Sequence, residues 1–157
     1  MKPNIGIADK NINSIVDILT IILADEHVLY IKTRKFHWNV FGNSFMELHK
    51  LFEEQYTELE EIIDEVAERI NKLGSKTIGT MKEFCEITRL KEHSKKYPEQ
   101  KEMLKELLID NEALIIALRK DVETATEKLK DAGTADFLTG LMEQHETIAW
   151  KLRRYLS

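Results

Sequence analysis

Apolar residues at Ile12, Ile15, Leu19, Ile22, Leu29 and Phe36 recur at steps of three, four and seven, the period of one buried helical stripe, and predict a helix from about Asn13 to Val40. Gly42 and Asn43 break it. A second stripe, made of Phe45, Leu48, Phe52, Leu59, Ile63, Val66 and Ile70, predicts a helix from Ser44 to Leu73 with Gly74 as its stop. Thr80-Met-Lys-Glu83 has the spacing of a capping box, so a short helix is expected before the loop around Pro98. Leu104, Leu107, Leu108, Leu114, Leu118, Val122, Ala125 and Leu129 mark a third long helix ended by Gly133. Thr134 is read as the cap of a fourth, which carries Leu138, Leu141, Ile148 and Leu152. The pattern predicts an all-α four-helix bundle with a short helix in the long connection between helices two and three.

Composition agrees. A chain of 157 residues, 43% of them hydrophobic, can bury a core without disulfide or zinc staples, and six Gly with two Pro are too few for the corners of an all-β fold. No repeat or linker is visible, so residues 1–157 read as one domain. Cys85 is alone, which excludes an intrachain disulfide and suits a cytoplasmic location; it reads as a small buried hydrophobe. The most apolar stretch, residues 15–24, is short and interrupted by Asp17, and the N-terminus lacks an apolar leader core, so no membrane association is expected.

The net charge of -5 is unevenly placed. Between Phe45 and Ile70 nine acids (Glu47, Glu53, Glu54, Glu58, Glu60, Glu61, Asp64, Glu65 and Glu68) face only Lys50 and Arg69. Like charges one turn apart destabilise a helix, so the excess asks for a compensating cation, and a metal ion is one candidate. At about 100° per residue, with His49 at zero, Glu53 falls near 40°, Asp64 near 60° and Glu68 near 100°, one arc beside the apolar stripe. Glu47, Glu54, Glu58, Glu61 and Glu65 fall on a separate arc at roughly 120 to 180°. The plainer alternative is a solvated acidic face with a hydrogen-bonded, half-buried His49.

His37 adds weight to the metal reading. It lies one turn before Gly42, and an antiparallel hairpin brings it beside His49 and Glu53. Such N and O donors suit iron, zinc, manganese or copper and discriminate poorly among them. His49 and Asp64, however, are separated by a helical rise of roughly 22 Å and cannot share an ion within one chain. If they act together, a second copy must pack its own helix two antiparallel across a two-fold axis near Glu58 and Leu59, giving two equivalent shared sites. The intrachain di-iron layout of other bundles needs Glu-x-x-His, and none of the five histidines has Glu three residues before it. His27 and His93 read as surface residues, and His145, on the fourth apolar stripe, as a hydrogen-bonded core histidine.

At these residues the sequence resembles the Dps family (DNA-binding protein from starved cells), the miniferritin branch of the ferritin-like superfamily. The segments that carry the likeness are His37-Trp-Asn-Val-Phe-Gly42, Phe45-Met-Glu-Leu-His49-Lys-Leu-Phe52-Glu-Glu-Gln-Tyr56 and Asp64-Glu-Val-Ala-Glu68-Arg-Ile70-Asn-Lys-Leu-Gly74, and it continues from Thr80-Met-Lys-Glu-Phe84 through Thr134-Ala-Asp-Phe-Leu138 to His145-Glu-Thr-Ile-Ala-Trp150-Lys-Leu-Arg153. The resemblance implies a ferritin-like bundle and a hollow shell of twelve copies that oxidises Fe(II) with hydrogen peroxide or O2, stores the ferric mineral and protects against oxidative stress. It implies His37, His49, Asp64 and Glu68 as ligands, with Glu53 where the family usually has the shorter Asp, and Zn2+ as a further occupant. Trp38 resembles the family tryptophan associated with stray oxidising equivalents. Glu127, Asp131 and Asp136 match positions at which the family lines three-fold entrance pores. The acidic arc is expected to face the cavity, where it would concentrate cations.

The family name also raises a DNA-compacting role, and a metal-free helical assembly is a third class. Residues 1 to 12 hold only Lys2 and Lys10 against Asp9, and the C-terminus at Ser157 is read as carrying no basic tail. Arg89, Lys91, Lys95, Lys96 and Lys101 against Glu92 and Glu99 give a local +3, which reads as a solvated loop. Direct DNA binding is therefore not expected. A gel-shift titration at low salt should show no tight complex; a tight complex that disappears on reversing Lys95 and Lys96 reverses this reading.

Overall fold

The computed structural model describes residues 3–157; Lys2, one of the two N-terminal lysines counted above, lies outside the described residues. Its helices are α1 (Asp9–Asn39), α2 (Phe45–Lys72), α3 (Met81–Ile87), α4 (Gln100–Glu123) and α5 (Ala132–Leu156), with a π-helical turn, Thr124–Lys128, between the last two. No strand occurs among the described residues, and no helix is long and apolar enough to cross a membrane. The chain folds as an all-α four-helix bundle in which α1 pairs with α2, α4 pairs with α5, and α3 lies in the crossover against α1.

The stripes form the core as expected: Ile15, Leu19, Ile22, Leu29, Leu48, Phe52, Leu59, Ile70, Leu107, Leu118, Leu138 and Ile148 are all buried. Gly74 ends α2 at φ +84°, with Gly74 N–H donating to Asn71 and Ser75 N–H to Ile70, a Schellman stop. Thr80 and Glu83 cap α3 reciprocally. Phe45 and Ile63 stand at the edge of the α2 stripe rather than inside it, where Leu51 and Ile62 are buried instead.

Several expectations are corrected. The first helix begins at Asp9, four residues early. Gly133 does not end the third helix, and Thr134 does not cap the fourth: the π turn and Lys130 at φ +56° reverse the chain, Asp131 takes the cap, and both Gly133 and Thr134 lie inside α5. An Asp three residues ahead of Thr134 offers a stronger acceptor for its N–H than a hydroxyl does. Cys85 is exposed, because the single-turn face of α3 turns only Phe84 into the core. His27 is likewise not a plain surface residue; its ring stacks on Phe84 at 3.8 Å and burial lowers its pKa.

Three buried charges on α1 tie it to the other half of the chain. Asp25 accepts from Thr88 Oγ1, Arg89 N and Arg89 Nε at 2.6–2.8 Å, anchoring the crossover. Lys32 pairs with Asp110 of α4 at 2.6 Å; desolvation raises the Asp110 pKa, and Lys32 opposes that rise. Glu26, fully buried, accepts from His145 Nε2 at 2.8 Å, while His145 Nδ1 lies 2.8 Å from Asn111 Oδ1. The Asn111 amide is oriented by Nδ2 donating to the Leu107 carbonyl, so both ring nitrogens of His145 face acceptors and both carry protons. Burial opposes that charge, but the Glu26 carboxylate, its hydrogen bond and the more distant Glu58 outweigh it, and the His145 pKa is raised.

The folded pKa of His145 thus stands above the unfolded value of about 6.5. Its stabilisation is complete below that value and is lost as pH rises through the folded pKa. Urea midpoints should fall on the alkaline side in the wild type and vary less with pH in His145→Gln. Glu26→Ala, which strands the buried imidazole, should cost about 3 kcal/mol in the same assay.

Candidate metal centre

The turn at 40–44 brings the end of α1 beside the start of α2, helped by Gly42 at φ +107° and a Phe45 N–H bond to the Gly42 carbonyl. There the expected histidines meet. Their rings stack with centroids 3.8 Å apart and planes at 19°. His37 Nδ1–H donates to the His49 carbonyl at 2.7 Å, and His49 Nδ1–H donates to the His37 carbonyl at 2.9 Å. The second bond satisfies a carbonyl in the last turn of α1, where helical partners run out. Each bond also fixes a tautomer: with the proton on Nδ1, both Nε2 atoms hold free lone pairs, the form in which imidazole binds a metal.

Phe45 lies 5.0 Å from the His49 ring, and Tyr56 meets His37 edge-on at 5.2 Å. Glu53 follows His49 by one turn and is exposed, as are Asp64 and Glu68 farther along the same helix; Glu68 pairs with Lys72 at 3.1 Å. Among the described residues no three His, Cys, Asp or Glu side chains gather closely enough to hold a metal ion. The chain therefore assembles the imidazole pair of the expected set and leaves Asp64 and Glu68 apart from it. Trp38 is 63% exposed, with the Arg34 guanidinium 5.2 Å from its ring.

The three expected pore acids separate. Glu127 sits on the π turn and is exposed, and Asp136 is exposed on α5. Asp131 is 3% exposed and does not line an open surface of the chain: Oδ1 accepts from Thr134 N at 2.9 Å, Oδ2 from Thr134 Oγ1 at 2.5 Å, and Arg69 Nη2 approaches at 3.4 Å. Arg69 also donates to Thr134 Oγ1 at 2.8 Å, binding the end of α2 to the start of α5. Glu58 is half-buried, and its charge reaches His145, so it is not purely part of an outward acidic wall. In the 89–101 segment, Arg89 is drawn onto Asp25 and Asp121 and Lys96 onto Glu106, which leaves less free positive charge than the sequence count suggests.

Sequence reasoning missed Tyr56 and Arg34 beside the site, and the buried Asp25, Glu26 and Lys32. For Glu26 a signal existed: it falls on the stripe between Ile22 and Leu29, where an acid must be paired.

The ferritin-like domain family matches residues 16–157. An uncharacterized low temperature-induced protein of Nostoc sp. is 45% identical over 98% of this chain and 86% of its own length. DNA protection during starvation protein 2 of Bacillus anthracis is 40% identical over 91% of this chain and 97% of its own. A crystal structure of a Dps protein from Vibrio cholerae O1, described as a member of a broad superfamily of ferritin-like diiron-carboxylate proteins, superposes with TM-score 0.92 at 30% identity over 99% and 97% of the two chains.

Asp131→Ala should lower stability by about 1–2 kcal/mol through loss of the cap and the Arg69 contact, measurable as a reduced urea midpoint. An unchanged midpoint would refute the structural role assigned to this carboxylate.

Proposed function

The chain belongs to the Dps family of ferritin-like proteins, and from that membership we propose that it is a ferroxidase and iron store that couples Fe(II) oxidation to consumption of hydrogen peroxide. The supporting observation is the reciprocal His37–His49 pairing, which presents two lone pairs at the end of the α1–α2 hairpin. In this reading Fe(II) is the substrate. His37, His49 and Glu53 of one chain receive it, and Asp64 and Glu68 of a second chain complete the site across a two-fold axis, because α2 is continuous from Phe45 to Lys72 and cannot fold back on itself.

The donor set fits the chemistry. Imidazole nitrogens hold Fe(II), and hard carboxylate oxygens favour the Fe(III) product. Two Fe(II) supply one electron each to H2O2; the O–O bond breaks, and with two protons two waters form, so no hydroxyl radical is released. Trp38, exposed beside His37, is in this reading the residue that would lose an electron to a stray oxidant. O2 is the alternative oxidant, and Zn2+ would compete for the same donors. Twelve copies, built from two-fold dimers, would enclose the mineral, with Glu47, Glu54, Glu61 and Glu65 drawing iron inward. Glu127 and Asp136 remain as candidates for the entrance path.

His37→Ala with His49→Ala should abolish rapid peroxide-dependent Fe(II) oxidation while helix content and assembly mass are retained. Stopped-flow absorbance after anaerobic Fe(II) loading, with native mass spectrometry, reads both quantities. A fully active double variant would falsify the assignment.

A further inference from the structure

The face of the α1–α2 hairpin that carries the two histidines is electrically lopsided. Arg34 lies one turn before His37, and its guanidinium carbon stands 5.4, 5.0 and 5.2 Å from the ring centroids of Tyr30, Tyr56 and Trp38. Nη1 donates to the Tyr30 hydroxyl at 2.6 Å, whereas Nε is shielded from solvent without an acceptor. Among the described residues no carboxylate pairs with this cation. The ring faces attract it, but a guanidinium taken partly out of water still lacks a counter-charge.

The counter-charge lies farther along α2. Thr57, Glu60, Glu61, Asp64 and Glu65 line a groove in which none of the four acids has a basic partner among the described residues, and Glu60–Asp64 and Glu61–Glu65 are like-charge pairs one turn apart. A two-fold axis between Glu58 and Leu59 lays the cationic end of this face on the acidic end of another copy. Tyr56, which carries Arg34 on its ring, then comes level with residue 61 of the second copy. At that level Glu60 is the acid on the same exposed arc as Glu53 and Asp64, facing the contact.

We infer that Arg34 is a positioning residue that pairs with Glu60 of a second copy, holding the two α2 helices at the separation that brings Asp64 and Glu68 to the imidazole pair. The inference rests on the shared site proposed above and adds the group that sets its dimensions. Arginine suits the task because its guanidinium rests against Tyr30 and Tyr56, with Nη1 engaged by the Tyr30 hydroxyl, while Nη2 is left for a carboxylate. The exposed Trp38, Phe41, Phe45 and Met46 at the same end of the hairpin would shield such a pair from water.

Charge reversal tests it. R34E, E60R, the double R34E/E60R, R34Q and R34K are compared with the wild type by analytical ultracentrifugation, by stopped-flow Fe(II) oxidation over a range of Fe(II), and by circular dichroism to separate misfolding. R34E and E60R should each weaken self-association about thirtyfold or more and raise the Fe(II) needed for half-maximal rate. R34E/E60R should recover both, and R34K should recover association more fully than R34Q. If R34E loses its helix content, R34Q supplies the same comparison. A double reversal no better than either single change, or an R34Q protein equal to wild type in both assays, overturns the pair while leaving the shared site intact. A wild-type protein that oxidises Fe(II) as a monomer overturns both.

Discussion

A continuous α-helix cannot bring its own ends together. Because α2 runs unbroken through 28 residues, the rise of about 1.5 Å per residue keeps His49 from Asp64 whatever their side chains do. Every functional assignment depends on this separation. One end of the helix is organised by α1 into a pair of imidazoles, the other carries a run of carboxylates of which Glu68 is held by Lys72, and neither end is a complete coordination sphere. The proposed chemistry consequently belongs to two copies.

The bundle must hold that face still. Its main devices are charges buried along α1: Asp25 against the crossover, Glu26 against His145, and Lys32 against Asp110. Apolar stripes alone permit sliding by a turn, since one leucine can replace another at similar cost. A buried carboxylate cannot slide away from its partner without being stranded, so the Glu26 and Lys32 contacts fix the register between the hairpins and Asp25 fixes the crossover. With α1 fixed, the reciprocal carbonyl bonds at the top of the hairpin fix the two imidazole rings, their tautomers and the direction of their lone pairs.

Acidic residues in this chain serve distinct purposes that charge counting does not separate. Asp131 caps α5 and receives Arg69; Glu26 neutralises an imidazolium; Glu68 is held by Lys72 on an exposed surface. Only the last belongs to the proposed ligand set. Arg34 shows the converse, a base without an acid partner among the described residues, beside a helix with acids in excess.

The helix number, the core stripes, the Gly74 stop, the α3 capping box and the meeting of His37 with His49 were all legible from residue spacing, because helical period and a short antiparallel turn are local geometry. The cap of α5 was misread by three residues, since Asp131 and Thr134 both suit a cap and their competition is decided by a π turn that no periodicity announces. Sequence alone also determined that His49 and Asp64 stay apart, a consequence of helix rise. Only the tertiary structure decided which ring nitrogens are free, which acids are already occupied, and that Arg34 has no counter-ion among the described residues. Those outcomes depend on contacts between residues distant in the chain, where desolvation makes each unpaired charge costly and the approach of another helix determines its partner.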